Sequence, residues 1–481
     1  MEQNLSRCPL LARLLKIAVE FLRSKDDVQQ LFHRAYLPTN YALPDPPVSA
    51  APCLFALLPH DDVDRVSRLP DALLHNIVSR LPAKDAARTA ALSRRWRGVW
   101  RSGPLVLVDS GLFPATSAVS SVLAAHPGPF PCVHLTSCYM DEFHALLTGW
   151  LQILVDKGIQ DLVLVNHQWP NRGTNLHLMP QLWYFCAINS LTRLYLGPWM
   201  FLDTAGLPSA TCFRNLHELG LCNVVMESRD LDFVLDRSPV LETLCVQGNL
   251  LRLCLRLVSQ SLRCVQIICF LEEIFVSEGF TPHGNFTKVK IGHAPKLQLL
   301  GYLELDQRHV LEVGNTIIKA GSRVSPSTMV PGVGILALEV CFGVRNDAKM
   351  VPGVLRCFPN VETLHIKLNL KSWHESGTIE CIRSRIELLV FHDFQGGRGD
   401  LAFLKFFFES ALVLQEVVIV FDAASSSFED VESKLESLVS MKRASETSIV
   451  LVAACSDPHG GYIRSFKIGS GFSPADPFVN Y

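Results

Sequence analysis

A chain of 481 residues with 48% hydrophobic and 19% charged side chains can bury a large core or several, which excludes wholesale disorder. A formal net charge of -2 supplies no general pull toward nucleic acid or an anionic membrane, so the expected partners are proteins. The 15 cysteines, an odd number without a CxxC pair, read as buried thiols of a reducing compartment, the nucleus and/or the cytoplasm, and not as a disulfide framework.

Residues 1–37 contain helix-spaced Leu11, Leu14, Leu15, Ala18, Val19 and Leu22, which predict an amphipathic helix. Arg13, Lys16, Glu20 and Arg23 between them speak against a secretory leader. Residues 38–60, with Pro44, Pro46, Pro47 and Pro52, read as an extended linker.

Residues 61–105 form the next unit. LPDALLHNIVSRL, 69–81, puts Leu73, Leu74, Ile77, Val78 and Leu81 on one helical face, with Pro70 in the first turn, Asp71 near the positive end of the dipole and Pro82 as the stop. A second helix is expected over Ala86–Leu92 behind Asp85 as N-cap, and a third behind Ser93 with Trp96 and Trp100 at i and i+4. So small a unit cannot cover all its leucines and both tryptophans, and the surplus apolar surface calls for a partner.

LPxxLLxxI, a following leucine, an alanine-rich turn and the close Ser93, Arg94, Arg95, Trp96, Arg97, Gly98, Val99, Trp100 resemble the F-box family, Val99 standing where a leucine is usual. The resemblance implies docking on a Skp-type adaptor, and through it a cullin, with Leu69, Pro70, Leu73, Leu74, Ile77, Leu81, Pro82, Leu92, Trp96 and Trp100 in the positions the family uses for that contact or its support, the motif alone not dividing the two. The competing reading of SRRWRGVWR is a DNA-recognition helix, built on Arg94, Arg95, Arg97 and Arg101 with Lys84 and Arg88. It lacks the Asn and Gln that read bases, and a solvated face accounts for most of these arginines.

Over residues 106–370 one frame recurs, apolar xx apolar x apolar: Leu191, Leu194, Leu196; Leu216, Leu219, Leu221; Leu241, Leu244, Val246; Leu262, Val265, Ile267; and Val361, Leu364, Ile366. It returns at Ile386, Leu389, Phe391 and at Leu414, Val417, Ile419. The last two apolar residues alternate inward on a short strand and each unit buries its face only against neighbours, the logic of an irregular leucine-rich-repeat solenoid of parallel strands and helices in the α/β class. An ordinary α/β domain with evenly spaced strands is the alternative. Asp230–Asp236 reads as one connecting helix, and residues 306–335, without the frame, as an insertion loop. Intervening strand positions are expected to line an exposed concave surface that meets a protein target: Arg193, Tyr195, Glu218, Thr243, Gln247, Gln266, His365 and Lys367.

Residues 371–421 read as strand, glycine turn at Gly396, Gly397 and Gly399, a helix begun by Asp400 with Leu401, Leu404, Phe407 and Phe408 inward, and a returning strand. The phrase FLKFFFESALVLQEV is similar to the FBD module at the C-terminal end of many plant F-box proteins with leucine-rich repeats, which implies an FBD-like cap on the array. Residues 422–481 are expected as a strand-helix segment and a tail whose DPF also resembles that family. Lys405, Glu409 and Glu416 make a membrane span of 401–421 costly.

Neither His217-Glu218 nor His374-Glu375 is completed to HExxH, the Gly396 cluster has no following lysine, and GxSxG is missing. No metal site, catalytic residue or cofactor is therefore expected. The resemblance implies a non-catalytic substrate receptor of a Skp-cullin-F-box ubiquitin ligase. A non-degradative interaction scaffold and an enzyme with a spatially assembled site stand as alternatives.

Overall fold

A computed structural model describes residues 66–455, apart from segments 113–114, 141–143, 167–181, 202–203, 248–252, 269–287, 306–308, 321–325, 341–349, 369–376, 423–427 and 440–442 and some single positions, plus a few residues between 43 and 64. The expected N-terminal helix, nearly all of the linker and the C-terminal tail lie outside the described residues. The chain divides into two compact units, one reaching Val225 and one running from Met226 together with residues 39–42. The observed class is α/β, three short helices followed by repeating parallel strands.

In the first unit a 3-10 turn, Val66–Arg68, leads into α1 (Asp71–Ser79), α2 (Ala83–Thr89) and α3 (Arg94–Ser102). Prolines start two of them, the Pro70 carbonyl accepting from Leu74 N at 3.1 Å and the Pro82 carbonyl from Ala86 N at 2.9 Å. Pro82 thus moves α2 three residues ahead of its expected start: Asp85 lies inside the first turn and does not cap it, and Ala90–Leu92 form a turn. Ser93 caps α3 as expected, its hydroxyl accepting from Trp96 N at 3.3 Å.

The strands of this unit are β1 (Val106–Val108), β2 (Cys132–Leu135), β3 (Asp161–Val165), β4 (Arg193–Gly197) and β5 (Glu218–Cys222), parallel and in chain order. Helices α4 (Ala115–Ala125), α5 (His144–Asp156) and α6 (Leu182–Ala187) fill the connections as far as β4. Phe130, Val133, Leu135 and Ile159, Leu162, Leu164 carry the same frame as the repeats starting at Leu191, all fully buried, so the array begins earlier than the leucine pattern alone indicates.

The second unit opens with α7 (Ser228–Asp236), the helix expected there, and stacks β6 (Thr243–Gln247), β8 (Cys264–Ile268), β10 (Leu299–Glu304), β13 (Ile335–Val340), β14 (Thr363–Leu368), β15 (Leu388–His392), β16 (Glu416–Asp422) and β17 (Ile449–Cys455), parallel throughout. Helices α8 (Met350–Cys357), α9 (Glu380–Ser384), α10 (Arg398–Ser410) and α11 (Phe428–Val439) precede β14 to β17 in turn. Every framed segment read from the sequence is a strand. The sheet runs one strand past β16, so the module expected to close it has β17 outside it. In α10, Phe403, Leu404, Phe407 and Phe408 are buried and Leu401 is half-buried.

A second sheet, in the order β12-β11-β9-β7, comprises β7 (Cys254–Leu257), β9 (Lys288–Ile291), β11 (Val310–Val313) and β12 (Thr316–Ile318). It corrects the reading of 306–335 as a loop. Leu311, Val313, Thr316 and Ile318 are buried while Ile317 is exposed, and Gly314-Asn315 joins two antiparallel strands, with Gly314 at a φ of 55° that favours glycine.

At the entry to successive strands one carbonyl accepts two consecutive N–H groups of the next strand. Pro131 O takes Gln160 and Asp161, Gln160 O takes Thr192 and Arg193, and Thr192 O takes His217 and Glu218. In the second unit Gln298 O takes Gly334 and Ile335, Gly334 O takes Glu362 and Thr363, Glu362 O takes Glu387 and Leu388, and Glu387 O takes Gln415 and Glu416. The register is thereby held by peptide groups at each step.

Candidate interaction surfaces

The three-helix module has its own interior, made of Leu74, Val78, Ala83, Ala86, Trp96 and Val99. Leu74 is 0% and Trp96 6% exposed, so of the two parts open to them, contact or support, both take support from within the module. The Trp96 indole N–H donates to Ser67 Oγ at 2.8 Å, pinning α3 to the turn before α1. Trp100 is half-buried with its ring 4.7 Å from that of His126, so it packs toward the first repeat.

Left uncovered are Leu73 at 51%, Ile77 at 38%, Leu92 at 68% and, unforeseen, Val66 at 49%. Leu73 and Ile77 stand one turn apart on α1. Pro70 and Pro82 are exposed beside them in sequence, and Leu69 and Leu81 are half-buried. Exposing such side chains costs the module the hydrophobic gain of covering them, roughly 1.5–3 kcal/mol each if fully buried, and a partner recovers it.

Among the arginines, Arg95 is no bystander. It meets the Asp71 carboxylate through Nε at 2.9 Å and Nη2 at 2.6 Å, donates to Leu69 O at 2.5 Å and also donates to Ser67 O. One guanidinium of α3 therefore gathers the chain leading into α1. Arg94, Arg97 and Arg101 are exposed, as a solvated face requires.

The strand face is more self-contained than the sequence led us to expect. In the first unit Arg193 bridges Asp161 Oδ2 at 2.8 Å and Glu218 Oε2 at 2.9 Å, while the Tyr195 hydroxyl donates to Glu218 Oε1 at 2.5 Å. Although burial alone would lower it, the two carboxylates hold the Arg193 guanidinium firmly charged. In the second unit His365 Nδ1 and His392 Nε2 are 3.0 Å apart with the rings stacked, and Lys367 pairs with Glu339 at 3.5 Å and with Asp393.

Of the eight expected target contacts, Arg193, Glu218 and Lys367 are half-buried, whereas Tyr195, Thr243, Gln247, Gln266 and His365 are buried. The physical reason is the spacing of about 4.8 Å between strands, which lets a long side chain lie across its neighbour and find its partner there. The sequence signal that was available is charge alternation between successive repeats at one strand position, Asp161, Arg193, Glu218, which only an alignment of the frames exposes. Seven of the ten described cysteines are buried thiols, Cys186, Cys212 and Cys254 being half-buried, and burial pushes Cys222 and Cys381 each up to about 12.

Three family models match this chain: F-box domain over residues 66–106, FBD-associated F-box protein At5g56370, LRR repeats over 147–366, and FBD over 374–419. The chain is 33% identical over 196 residues to the F-box/LRR-repeat protein At3g26922 of Arabidopsis thaliana, which covers 39% of this chain and 61% of that one. Two further Arabidopsis thaliana proteins align across most of both chains. They are the putative F-box/FBD/LRR-repeat protein At2g05300, 24% identical over 424 residues (78% and 94%), and the F-box/FBD/LRR-repeat protein At5g22660, 24% over 430 residues (76% and 92%).

Proposed function

We propose, from the premise that this chain belongs to the F-box proteins with leucine-rich repeats and an FBD module, that it is the substrate-recognition subunit of a Skp-cullin-F-box ubiquitin ligase. Proteins combining an F-box with leucine-rich repeats are typically non-catalytic adaptor subunits. The observation that carries the reading is the pair Leu73 and Ile77, exposed on one face of α1 although the module's interior is already filled by Leu74, Val78 and Trp96. These two, with Leu92 and Val66, are the side chains that gain from a Skp-type adaptor, which in turn brings a cullin.

On this reading the repeats bind a protein target and hold it at high effective concentration beside the charged ubiquitin-conjugating enzyme, and no bond-making is asked of this chain. The half-buried ends of Arg193, Glu218 and Lys367 are the strand-face groups available to a target. We place its action in the nucleus or the cytoplasm, where thiols such as Cys222 stay reduced.

Copurification decides. The full-length chain is expected to bring down a Skp-type adaptor, and Leu73→Asp with Ile77→Asp to release it while the far-ultraviolet dichroism is unchanged. Retention of the adaptor by that double variant would sink the assignment.

A further inference from the structure

We propose that Cys132, His134 and Asp161 form a binding site for a divalent transition metal of the zinc type, clipping β2 to β3. The site goes beyond adaptor docking and does not depend on it. Cys132 and His134 are two residues apart on β2 and so share a face, and the register pairs Cys132 with Asp161 on β3. Their thiol sulfur, imidazole nitrogen and carboxylate oxygen lie within 4.8 Å of one another. Tetrahedral zinc, with bonds of about 2.0–2.3 Å, sets its ligands roughly 3.5 Å apart, a closure within reach of side-chain torsions.

Two polar atoms face each other across this space without a hydrogen bond. His134 is 3% exposed, and its Nε2 faces Asp161 Oδ1 at 3.7 Å, too long for a hydrogen bond. Neither atom has a hydrogen-bond partner among the described residues. Leaving such atoms unpaired costs about 1–3 kcal/mol each, and an ion between them serves both. The other carboxylate oxygen, Oδ2, accepts from Arg193, which fixes the direction of Oδ1 and leaves it available. Glu218 on the far side of Arg193 offsets the guanidinium charge.

The donor set selects the ion. A thiolate with an imidazole and one carboxylate favours zinc and its neighbours over calcium or magnesium, which require several oxygens. Three protein ligands leave a fourth position for water or another donor. Burial, with Asp161 adding its charge, keeps the Cys132 thiol protonated when no ion is present. Uptake therefore forms a metal–sulfur bond as the S–H bond breaks and the proton passes to solvent.

Cobalt is the probe, because its thiolate complexes absorb visibly. The full-length chain, stripped with a chelator, is expected to take up one equivalent of Co2+ with a thiolate-to-metal charge-transfer band, to lose that band to Zn2+, and to unfold at higher temperature with Zn2+ present. Cys132→Ser should abolish the band and His134→Gln should reduce cobalt affinity at least about tenfold. A folded wild-type chain that binds no cobalt would overturn the site, as would a band that survives unchanged in Cys132→Ser. The wild-type titration is decisive even should a variant fold poorly. Adaptor copurification is expected to be the same with and without metal, so this proposal and the docking assignment fail separately.

Discussion

The ring of Tyr195 lies across Gly220 on the adjacent strand so closely that a Cβ there would stand 2.0 Å from Tyr195 Cδ1. The glycine is required by this approach, which delivers the tyrosine hydroxyl to Glu218. Gly220→Ala is expected to push the ring aside, break that hydrogen bond and destabilise the first unit by about 2–3 kcal/mol. Urea denaturation followed by dichroism measures it, and an unmoved midpoint would contradict the packing.

Arg95 and Arg97 separate a structural arginine from a solvated one. Arg95→Ala removes the contacts to Asp71, Ser67 and Leu69 and should destabilise the three-helix module by about 1–2 kcal/mol, the exposure of the ion pair holding the figure down. Arg97→Ala should stay within about 0.5 kcal/mol of the wild type. Amide hydrogen exchange over residues 66–102 reads the difference, and equal protection in both variants would refute it.

Docking and interior residues should part company in the same experiment. Leu73→Ala and Ile77→Ala are each expected to weaken adaptor binding about tenfold while leaving the melting temperature alone. Trp96→Ala should cost about 3–5 kcal/mol of stability through the cavity it opens and the Ser67 bond it loses. Calorimetric titration beside thermal unfolding tests the pattern; a melting shift from Leu73→Ala as large as that from Trp96→Ala would count against it.

His126 supplies an acid sensitivity. Burial holds its pKa below the ordinary 6.5, outweighing its contact with Gly103 O at 3.1 Å, and nearby Lys157 adds to the depression. Because the folded state prefers the neutral ring, its contribution is complete above 6.5 and is lost as pH falls from there through the depressed value. The denaturation midpoint should drop on acidification from about pH 8 to about pH 5, and less steeply in His126→Gln. Identical pH slopes in the two proteins would remove His126 as the cause.

Seven of the 17 described strands, β4, β5, β6, β8, β14, β15 and β16, are legible because the leucine frame is a burial pattern, and burial is what the repeats require. Phe130 and Ile159 open the same frame without a leucine, and because a phenylalanine and an isoleucine fill the same space, the leucine pattern alone does not mark them. The hairpin at Gly314-Asn315 carries its own signal, a glycine-asparagine turn between the short apolar runs Val310–Val313 and Thr316–Ile318, which the repeat frame does not contain. On the three-helix module, helix spacing places Leu73 and Leu74 side by side, and nothing local tells which is buried; that is decided by α3, brought back through Arg95 and Trp96. The strand-face partners were hidden because residues 25 or more positions apart, such as Arg193 and Glu218, meet only after the repeats stack.

The doubled carbonyl at these strand entries has a consequence for how such a protein changes over generations. Gln160, Thr192 and Gln298 hold the following strand through an oxygen every amino acid possesses, so their side chains can drift and the connections can lengthen or shorten without the ladder slipping. Selection is then free to rewrite the side chains that the strands present while the ladder keeps its register.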